Sequence, residues 1–217
     1  MKVTYNPAVF NANDISHAMA IILTPEDSTT EERWQTETPY VCDLIAKSLK
    51  ITPSSFVLDY GCGIGRIAKE LIVRHGCRVI GVDISPNMRA LSVMYVQSDR
   101  FAVCTPEMLT AMTERGFRFD VAISIWVLQH CLSPADDVAR LRSALDPAGS
   151  LFVLNDKLRC VPTVEVGWVD DSIDVRAVLM QNFDLRQEGR LDPGRTTEDV
   201  TESSYWGAFS VPHADEA

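Results

Sequence analysis

The sequence has no apolar run of the roughly 20 residues that a membrane-spanning helix needs, and Met1 to Phe10 lacks the basic and then apolar order of a secretory signal. It also has no excess of basic residues, since 20 Lys and Arg stand against 30 Asp and Glu, a net charge of −10. Nucleic acids and anionic membrane surfaces are polyanions and therefore poor partners for such a chain. These absences predict a cytoplasmic protein that binds neither nucleic acid nor membrane.

Paired cysteines and clusters of metal ligands are also missing. The six cysteines are scattered without a Cys-x-x-Cys pair, which is typical of a reducing compartment. The four histidines show no ligand spacing relative to them, so we expect no metal site. The residues concerned are Cys42, Cys62, Cys77, Cys104, Cys131 and Cys160, and His17, His75, His130 and His213. Nothing in the composition predicts an oligomeric state.

The most informative stretch runs from an apolar strand through a glycine turn into a helix. The strand covers residues 56–58, the turn is Gly61-Cys62-Gly63-Ile64-Gly65, and apolar residues follow at helical spacing. Such a turn lets a ligand approach the backbone closely and is expected to present free helix amides to it. Asp83 closes the next strand about 20 residues later, where an acid reaches the ribose hydroxyls of a nucleotide. The stretch therefore predicts a nucleoside ligand.

Two residues argue against a dinucleotide. Arg66 stands where the Gly-x-Gly-x-x-Gly pattern has its third glycine, and Asp59 lies directly at the turn, where its charge would repel a pyrophosphate. A carboxylate there suits a ligand that carries an ammonium or a sulfonium group. NAD is disfavoured on these grounds.

Strands and helices alternate along the chain, which predicts right-handed crossovers and a doubly wound α/β sheet. We expect a Rossmann-like fold of seven strands, mostly parallel with an antiparallel C-terminal strand, and helices on both faces. Residues 1–37 are interpreted as an N-terminal arm or lid, and residues 38–217 as a single domain. Thr38-Pro39 predicts the start of a surface helix. Near the C-terminus we expect a helix over 172–181 and a hairpin of strands over 183–190 and 204–211, while the fifth strand is expected over 150–154.

Four segments in order resemble the motifs of class I S-adenosylmethionine-dependent methyltransferases, in particular the small-molecule type 11, ubiquinone-biosynthesis-like domain. The resemblance covers about residues 55–154, and four ordered motifs are far more specific than one glycine loop. The segments are Val57 to Gly65, Gly81 to Ser85, Phe119 to His130 and Leu145 to Leu151.

The resemblance implies an S-adenosylmethionine site, with S-adenosylhomocysteine as product. Many relatives bond the adenine amino group with an acid after strand three, whereas this chain has Cys104-Thr105-Pro106-Glu107. Thr105 or Glu107 is the expected substitute. The implied methionine site comprises Asp59, the backbone of Tyr60, Gly61, Cys62 and Gly63, and Arg66, for which a solvated helix position is the alternative. Asp83 would bind the ribose, Ile84 and Met88 the adenine, and Ile125 and Trp126 would lie near the sulfonium. Trp34 would either cover the ligand or pin the arm to the domain.

The implied reaction is transfer of a methyl group to a small-molecule acceptor. His130 is the candidate general base because imidazole titrates near neutrality, although a structural role is the alternative, and Gln129 is a candidate for orienting the acceptor. The acceptor pocket is expected from Arg33, Trp34 and Glu37, the loop 157–168 and Trp206. A nicotinamide oxidoreductase and a non-catalytic S-adenosylmethionine-binding protein are the alternatives.

Overall fold

The computed structural model describes residues 4–25 and 28–212, so His213 lies outside the described residues. Seven strands form one sheet in the order β3-β2-β1-β4-β5-β9-β8. Neighbours from β3 to β5 pair in parallel, whereas β9 runs antiparallel to both β5 and β8. The expected seven-stranded sheet and its C-terminal hairpin are confirmed. The strands are β1 (Phe56–Tyr60), β2 (Arg78–Val82), β3 (Phe101–Cys104), β4 (Phe119–Ile125), β5 (Leu145–Asp156), β6 (Val161–Thr163), β7 (Gly167–Val169), β8 (Asp184–Gly189) and β9 (Ser204–Ser210).

Eight α-helices accompany the strands in the described part of the chain, and two apolar cores lie between helices and sheet. One core joins the sheet to α2, α3 and α4, and the other joins it to α5, α6 and α7. Within the described ranges no helix is long and apolar enough to cross a membrane. The helices are α1 (Ile15–Ile22), α2 (Thr30–Ser48), α3 (Arg66–His75), α4 (Pro86–Val96), α5 (Pro106–Glu114), α6 (Pro134–Ala144), α7 (Val175–Asn182) and α8 (Glu198–Ser203).

Alternation along β1 sends neighbouring side chains to opposite faces of the sheet. Val57 packs in the core under α2 and α3, whereas Leu58 and Tyr60 pack in the core under α5 and α6. Asp59 therefore points to the α2–α3 face, and Tyr60 points to the α5–α6 face. The carboxyl end of β1 thus presents the Asp59 carboxyl group on one face of the sheet and the Tyr60 phenol on the other.

The predicted start of the second helix at Thr38 is wrong. Helix α2 begins eight residues earlier, at Thr30, behind a capping box in which Thr29 and Glu32 satisfy each other's backbone amides. Pro39 lies inside the helix, where it removes one helical hydrogen bond. The sequence favoured Thr38-Pro39 because proline is common at the first helical position, but the stronger capping box and the buried apolar stripe that follows determine the helix.

Replacing Pro39 by Ala is expected to stabilise the fold. Proline inside a helix costs up to about 3 kcal/mol relative to alanine, so we expect a gain in unfolding free energy of about 1 kcal/mol or more in urea denaturation. Pro86, an exposed first-turn residue of α4, is the matched control. Proline is favourable there, so Pro86→Ala is expected to give no gain. Equal effects of the two substitutions would contradict this explanation.

The loop 157–168 contains a two-stranded hairpin, β6–β7, that the sequence did not predict. The N-terminal segment pairs with it: the Asn6 amide donates to the Pro162 carbonyl at 2.9 Å, and Tyr5 bridges Thr163. Strand β5 is longer than expected, and α7 begins at Val175 rather than residue 172, because the Asp174 carboxylate caps it. The arm is therefore tied to the domain by backbone hydrogen bonds.

Candidate functional site

A cavity of about 420 Å³ lies beyond the carboxyl ends of β1, β2 and β4. Its size is within the range of small-molecule sites, and its position is where ligands bind in doubly wound sheets. Most of the residues predicted from the sequence line it: Asp59, Tyr60, Gly61, Cys62, Gly63, Arg66, Asp83, Ile84, Met88, Glu107, Ile125, Trp126 and His130. Trp34, Thr105 and Gln129 do not.

The glycine turn is closely packed at its first glycine. Gly61 has a φ of +77°, and a Cβ at this position would lie 2.2 Å from a methyl carbon of Val127. Gly63 is also left-handed, with a φ of +54°. No side chain other than hydrogen fits Gly61, so the backbone itself forms this part of the cavity wall.

The amides of the turn are not free, contrary to the expectation from the sequence. The amides of Gly61 and Cys62 donate to the Val82 carbonyl at 2.7 and 3.0 Å, and the Gly63 amide donates to the Asp83 carboxylate at 2.8 Å. The turn folds back on the end of β2, which consumes these donors. A cationic ligand requires acceptors rather than donors, so this arrangement still suits an ammonium or sulfonium group.

Asp59 is a buried carboxylate, 3% exposed. Its Oδ2 atom has no hydrogen-bond partner among the described residues. Burial raises the pKa of Asp59 to about 7, opposed by the nearby positive charge of Arg66 and reinforced by the negative charge of Asp83. An unpartnered buried oxygen carries a desolvation cost that a positively charged ligand group would offset.

Arg66 begins α3 and is also buried in the cavity wall, which excludes the solvated alternative. Its Nη1 atom lies 3.4 Å from the Thr38 hydroxyl, and its guanidinium lies 5.5 Å from the centre of the Trp34 ring. Burial lowers the pKa of Arg66, although the negative charges of Glu37 and Asp59 oppose this shift. The side chain stays cationic at neutral pH, so it places a donor beside the Asp59 carboxylate.

Asp83 follows β2 and holds the turn in place. Its Oδ2 atom accepts from the Gly63 amide and its Oδ1 atom from the Ser85 amide, each at 2.8 Å. Burial raises its pKa, while these two hydrogen bonds and the charge of Arg89 lower it. Each carboxylate oxygen can accept a second hydrogen bond, so two acceptor positions remain for a diol.

Trp126 ends β4 in an uncommon backbone conformation, with a φ of +61°. For a bulky residue this costs of the order of 1–3 kcal/mol, and such residues cluster at functional sites. Its amide donates to the Leu154 carbonyl at 2.8 Å, which fixes the conformation. Together with Ile125 it forms the apolar part of the cavity wall.

His130 lines the cavity and has a defined hydrogen-bond pattern. Its Nδ1 atom lies 2.7 Å from the Cys160 carbonyl oxygen, which accepts but cannot donate, so Nδ1 carries the proton and the neutral ring has its lone pair on Nε2. Gln129 lies beneath, 1% exposed, with its amide nitrogen 3.3 Å from Nε2. Burial lowers the pKa of His130, while the Cys160 carbonyl and Asp156 raise it. His130 is therefore neutral at physiological pH.

The arm contributes cavity residues that the sequence reasoning missed. Tyr5, Phe10, Ile21 and Ile22 line the cavity, and Phe10 forms a cluster with His130 and Trp168, with ring centroids 5.5–6.1 Å apart. The only signal in the sequence was the presence of isolated apolar residues in a polar segment.

The residues expected to form the acceptor pocket are divided. Trp168 of the loop 157–168 packs against the cavity residues Phe10 and His130, whereas the others do not line the cavity: Arg33, Trp34, Glu37 and Trp206. Arg33 and Glu37 form a buried ion pair within α2, and Trp206 stacks on Phe152 in the core. Trp34 donates from Nε1 to the Tyr95 hydroxyl at 3.1 Å and packs behind Arg66. This agrees with its alternative interpretation, a residue that pins the arm to the domain.

Part of the chain is similar in sequence to known methyltransferases. Residues 58–153 match the family described as methyltransferase domain. Over 121 residues the chain is 31% identical to the ubiquinone biosynthesis O-methyltransferase of Cereibacter sphaeroides (strain KD131 / KCTC 12085), which covers 52% of this chain and 47% of that protein. Over 167 residues it is 26% identical to the tRNA U34 carboxymethyltransferase of Saccharophagus degradans (strain 2-40), covering 70% and 51% respectively.

Among solved structures, the N-methyltransferase NodS from Bradyrhizobium japonicum WM9, in complex with S-adenosylhomocysteine, superposes with a TM-score of 0.63 at 13% identity. The match covers 90% of this chain and 97% of NodS, and it shows the fold. The chain spans about half the length of the curated relatives it matches. The family match falls within the segment 55–154 that the sequence motifs delimit.

Proposed function

We propose that the protein is a class I S-adenosylmethionine-dependent methyltransferase, on the premise that residues 58–153 match the family described as methyltransferase domain. It transfers a methyl group from S-adenosylmethionine to a small-molecule acceptor. The observation that carries the proposal is the shared cavity of Asp59 and Asp83, at the ends of adjacent strands on either side of the glycine turn. One ligand that has a positive group at one end and a ribose diol beside it explains both acids.

The described residues fit this cofactor. The unpartnered Oδ2 atom of Asp59 suits the ammonium group, and the Arg66 guanidinium beside it suits the carboxylate of the same methionine moiety. Asp83 would accept from the ribose hydroxyls. Ile84 and Met88 would pack against the adenine ring, and Ile125 and Trp126 would lie near the sulfonium.

S-adenosylmethionine supplies a methyl group that the sulfonium has already activated. The protein's part is to hold the acceptor in line with the methyl group and to exclude water. Trp126, directly after β4, and Phe10, in the arm, both line the cavity and contribute apolar surface to its wall. Where the acceptor must lose a proton, His130 would accept it at Nε2, since Nδ1 is engaged by the Cys160 carbonyl.

A small and uncharged or cationic acceptor fits the cavity better than a polyanion. Its described wall carries five acids and only two arginines, Arg66 and Arg140. The net charge of −10 over the whole chain also disfavours a polyanionic acceptor, because like charges repel. The aromatic cluster of Phe10, His130 and Trp168 offers ring faces on which a planar acceptor would stack. All six cysteines are free thiols, which supports the further proposal of a cytoplasmic location.

The proposal is tested by calorimetry against S-adenosylmethionine, S-adenosylhomocysteine and NAD, followed by a screen for S-adenosylhomocysteine release over pools of phenols, amines and tRNA. We expect both sulfur nucleosides to bind, NAD not to bind, and turnover with a small molecule. NAD binding without a response to the sulfur nucleosides would refute the methyltransferase proposal. Turnover of tRNA would refute the small-molecule acceptor, and binding without any turnover would support a non-catalytic protein.

Cofactor affinity is expected to rise with pH through neutrality. Below about pH 7 Asp59 is protonated and offers no charge to the ammonium group, whereas above it the carboxylate is ionised. A pKa near 7 predicts roughly tenfold weaker binding at pH 6 than at pH 8, measured by calorimetry with S-adenosylhomocysteine. The Asp59→Asn variant is expected to bind S-adenosylhomocysteine weakly, with an affinity that does not change between pH 6 and pH 8. If the affinity of this variant still rises with pH, the titrating group is another one, such as Asp83.

A further inference from the structure

The cavity has a second polar wall on the α5–α6 face of the sheet, formed by Tyr60, Asp137 and Arg140. The Tyr60 hydroxyl donates to Asp137 Oδ1. Arg140 Nη1 donates to the same oxygen at 2.7 Å and to the Tyr60 hydroxyl at 2.9 Å. Arg140 Nε lies 3.3 Å from the Thr110 hydroxyl. Tyr60, Asp137 and Arg140 all line the cavity, so this network faces the ligand as well as the core.

The position of the network corresponds to one end of the proposed cofactor. Asp59 and Arg66 lie on the α2–α3 face, and Asp83 lies at the end of β2 between the two faces. With the methionine moiety at Arg66 and the ribose at Asp83, the part of the cavity wall formed by Pro106 and the first turns of α6 would be left for the base. This assignment rests on the function proposed above.

The substitutes expected from the sequence for the missing acid after β3 are engaged elsewhere. The Thr105 hydroxyl accepts from the Met108 amide at 3.2 Å, as the cap of α5. The Glu107 carboxylate is exposed, and its pKa is lowered chiefly by a hydrogen bond from the Thr105 side chain. Thr105 does not line the cavity, and Glu107 lines it only with an exposed carboxylate, whereas the Asp137 carboxylate on α6 is half-buried in the cavity wall.

We propose that Asp137 and Arg140 recognise the Watson–Crick edge of the adenine, with the Asp137 carboxylate accepting from the 6-amino group and the Arg140 guanidinium donating to N1. Tyr60 and Arg140 both donate to Oδ1 of Asp137, so Oδ2 retains acceptor capacity, and the Cys131 thiol beside this carboxylate is only a weak donor. Among the described residues, Arg140 uses Nε and Nη1, and Nη2 makes no hydrogen bond. A free acceptor thus lies beside a free donor, the complement of adenine.

Hypoxanthine is the informative alternative base. It carries a carbonyl oxygen in place of the amino group and a proton on N1, so it presents an acceptor to Asp137 and a donor to Arg140. Both contacts become unfavourable. Losing one charge-assisted hydrogen bond in a partly buried site weakens binding by about tenfold or more. The network would therefore make the site selective for adenosine over inosine nucleosides.

The test compares calorimetric affinities for S-adenosylhomocysteine and S-inosylhomocysteine. The wild-type protein is expected to prefer the adenine nucleoside by about tenfold or more. Asp137→Asn is expected to reduce this preference to about twofold or less, because its amide can donate to the carbonyl. The matched control is Glu114→Gln, an exposed acid at the end of α5 that does not line the cavity, and it is expected to keep the wild-type preference.

Arg140→Gln is the second variant, and it is also expected to lose the preference for S-adenosylhomocysteine over S-inosylhomocysteine. It tests the proposal independently if Asp137→Asn does not fold. An Asp137→Asn or Arg140→Gln protein that binds the adenine nucleoside with the wild-type preference would overturn the proposal. So would loss of the preference in Glu114→Gln alone. A wild-type protein that binds neither nucleoside would refute the proposed function itself, whereas normal binding without discrimination would refute only this inference.

Discussion

Replacing Asp83 by alanine is expected to weaken S-adenosylhomocysteine binding by roughly 100-fold or more. The carboxylate offers two acceptor positions to the ribose hydroxyls, and each charge-assisted hydrogen bond contributes about 1.5–3 kcal/mol. The same side chain accepts from the Gly63 and Ser85 amides, so its loss also loosens the glycine turn. Both effects act in the same direction, which makes this the largest expected effect on binding.

Two further variants separate the loss of the diol contacts from general damage to the fold. Asp99→Ala removes an exposed acid in the turn before β3 and is expected to leave affinity unchanged. Asp83→Asn keeps the shape and one acceptor, so we expect an intermediate loss of about tenfold. Thermal melting by circular dichroism checks that each variant is folded. A folded Asp83→Ala protein with wild-type affinity would show that the ribose lies elsewhere.

The sheet and the cavity residues at the ends of β1 and β2 were predictable because both are encoded locally. An apolar run that ends in Asp59 and a glycine turn specifies a buried parallel strand, and Asp83 repeats the pattern one crossover later. The order of strands then places both acids at one end of the sheet. The confirmed fold follows from short segments whose preferences agree with each other.

The part of the cavity wall that the arm forms was not predictable because contacts between distant segments build it. Tyr5 reaches the cavity only because the arm pairs with β6, more than 150 residues later. No local pattern near Tyr5 or Thr163 signals this pairing, and β6 has only three residues. The network of Tyr60, Asp137 and Arg140 is equally non-local.

Pro39 shows a different kind of error. Local propensity favoured a helix start at Thr38, but the buried side chains of α2 form part of the core with α3, and this packing outweighs the cost of one proline. Thr38, interpreted from sequence as a cap, instead lies against Arg66. The error in the helix start therefore concealed a contact of the candidate site.

His130→Ala is expected to lower kcat for a hydroxyl or amine acceptor that must lose a proton by about 100-fold or more, the usual contribution of a general base. Nδ1 is engaged by the Cys160 carbonyl, so Nε2 is the only ring nitrogen that can accept a proton. Cofactor affinity should change little, because the candidate cofactor contacts are made by Asp59, Arg66 and Asp83. The effect should therefore fall on kcat and not on the dissociation constant for S-adenosylhomocysteine.

The pH profile distinguishes a base from a structural histidine. Burial lowers the pKa of His130 below its ordinary value of 6.5, so the ring is neutral and competent at pH 7, and protonation on acidification removes its basicity. Wild-type kcat should thus be flat near neutrality and fall at acidic pH, and His130→Ala should lose this acid limb. His75→Ala, on α3 outside the cavity wall, is the control and should keep both rate and profile. A folded His130→Ala protein with an unchanged kcat and acid limb would mean that His130 only supports the loop, and that the acceptor reaches the methyl group already deprotonated.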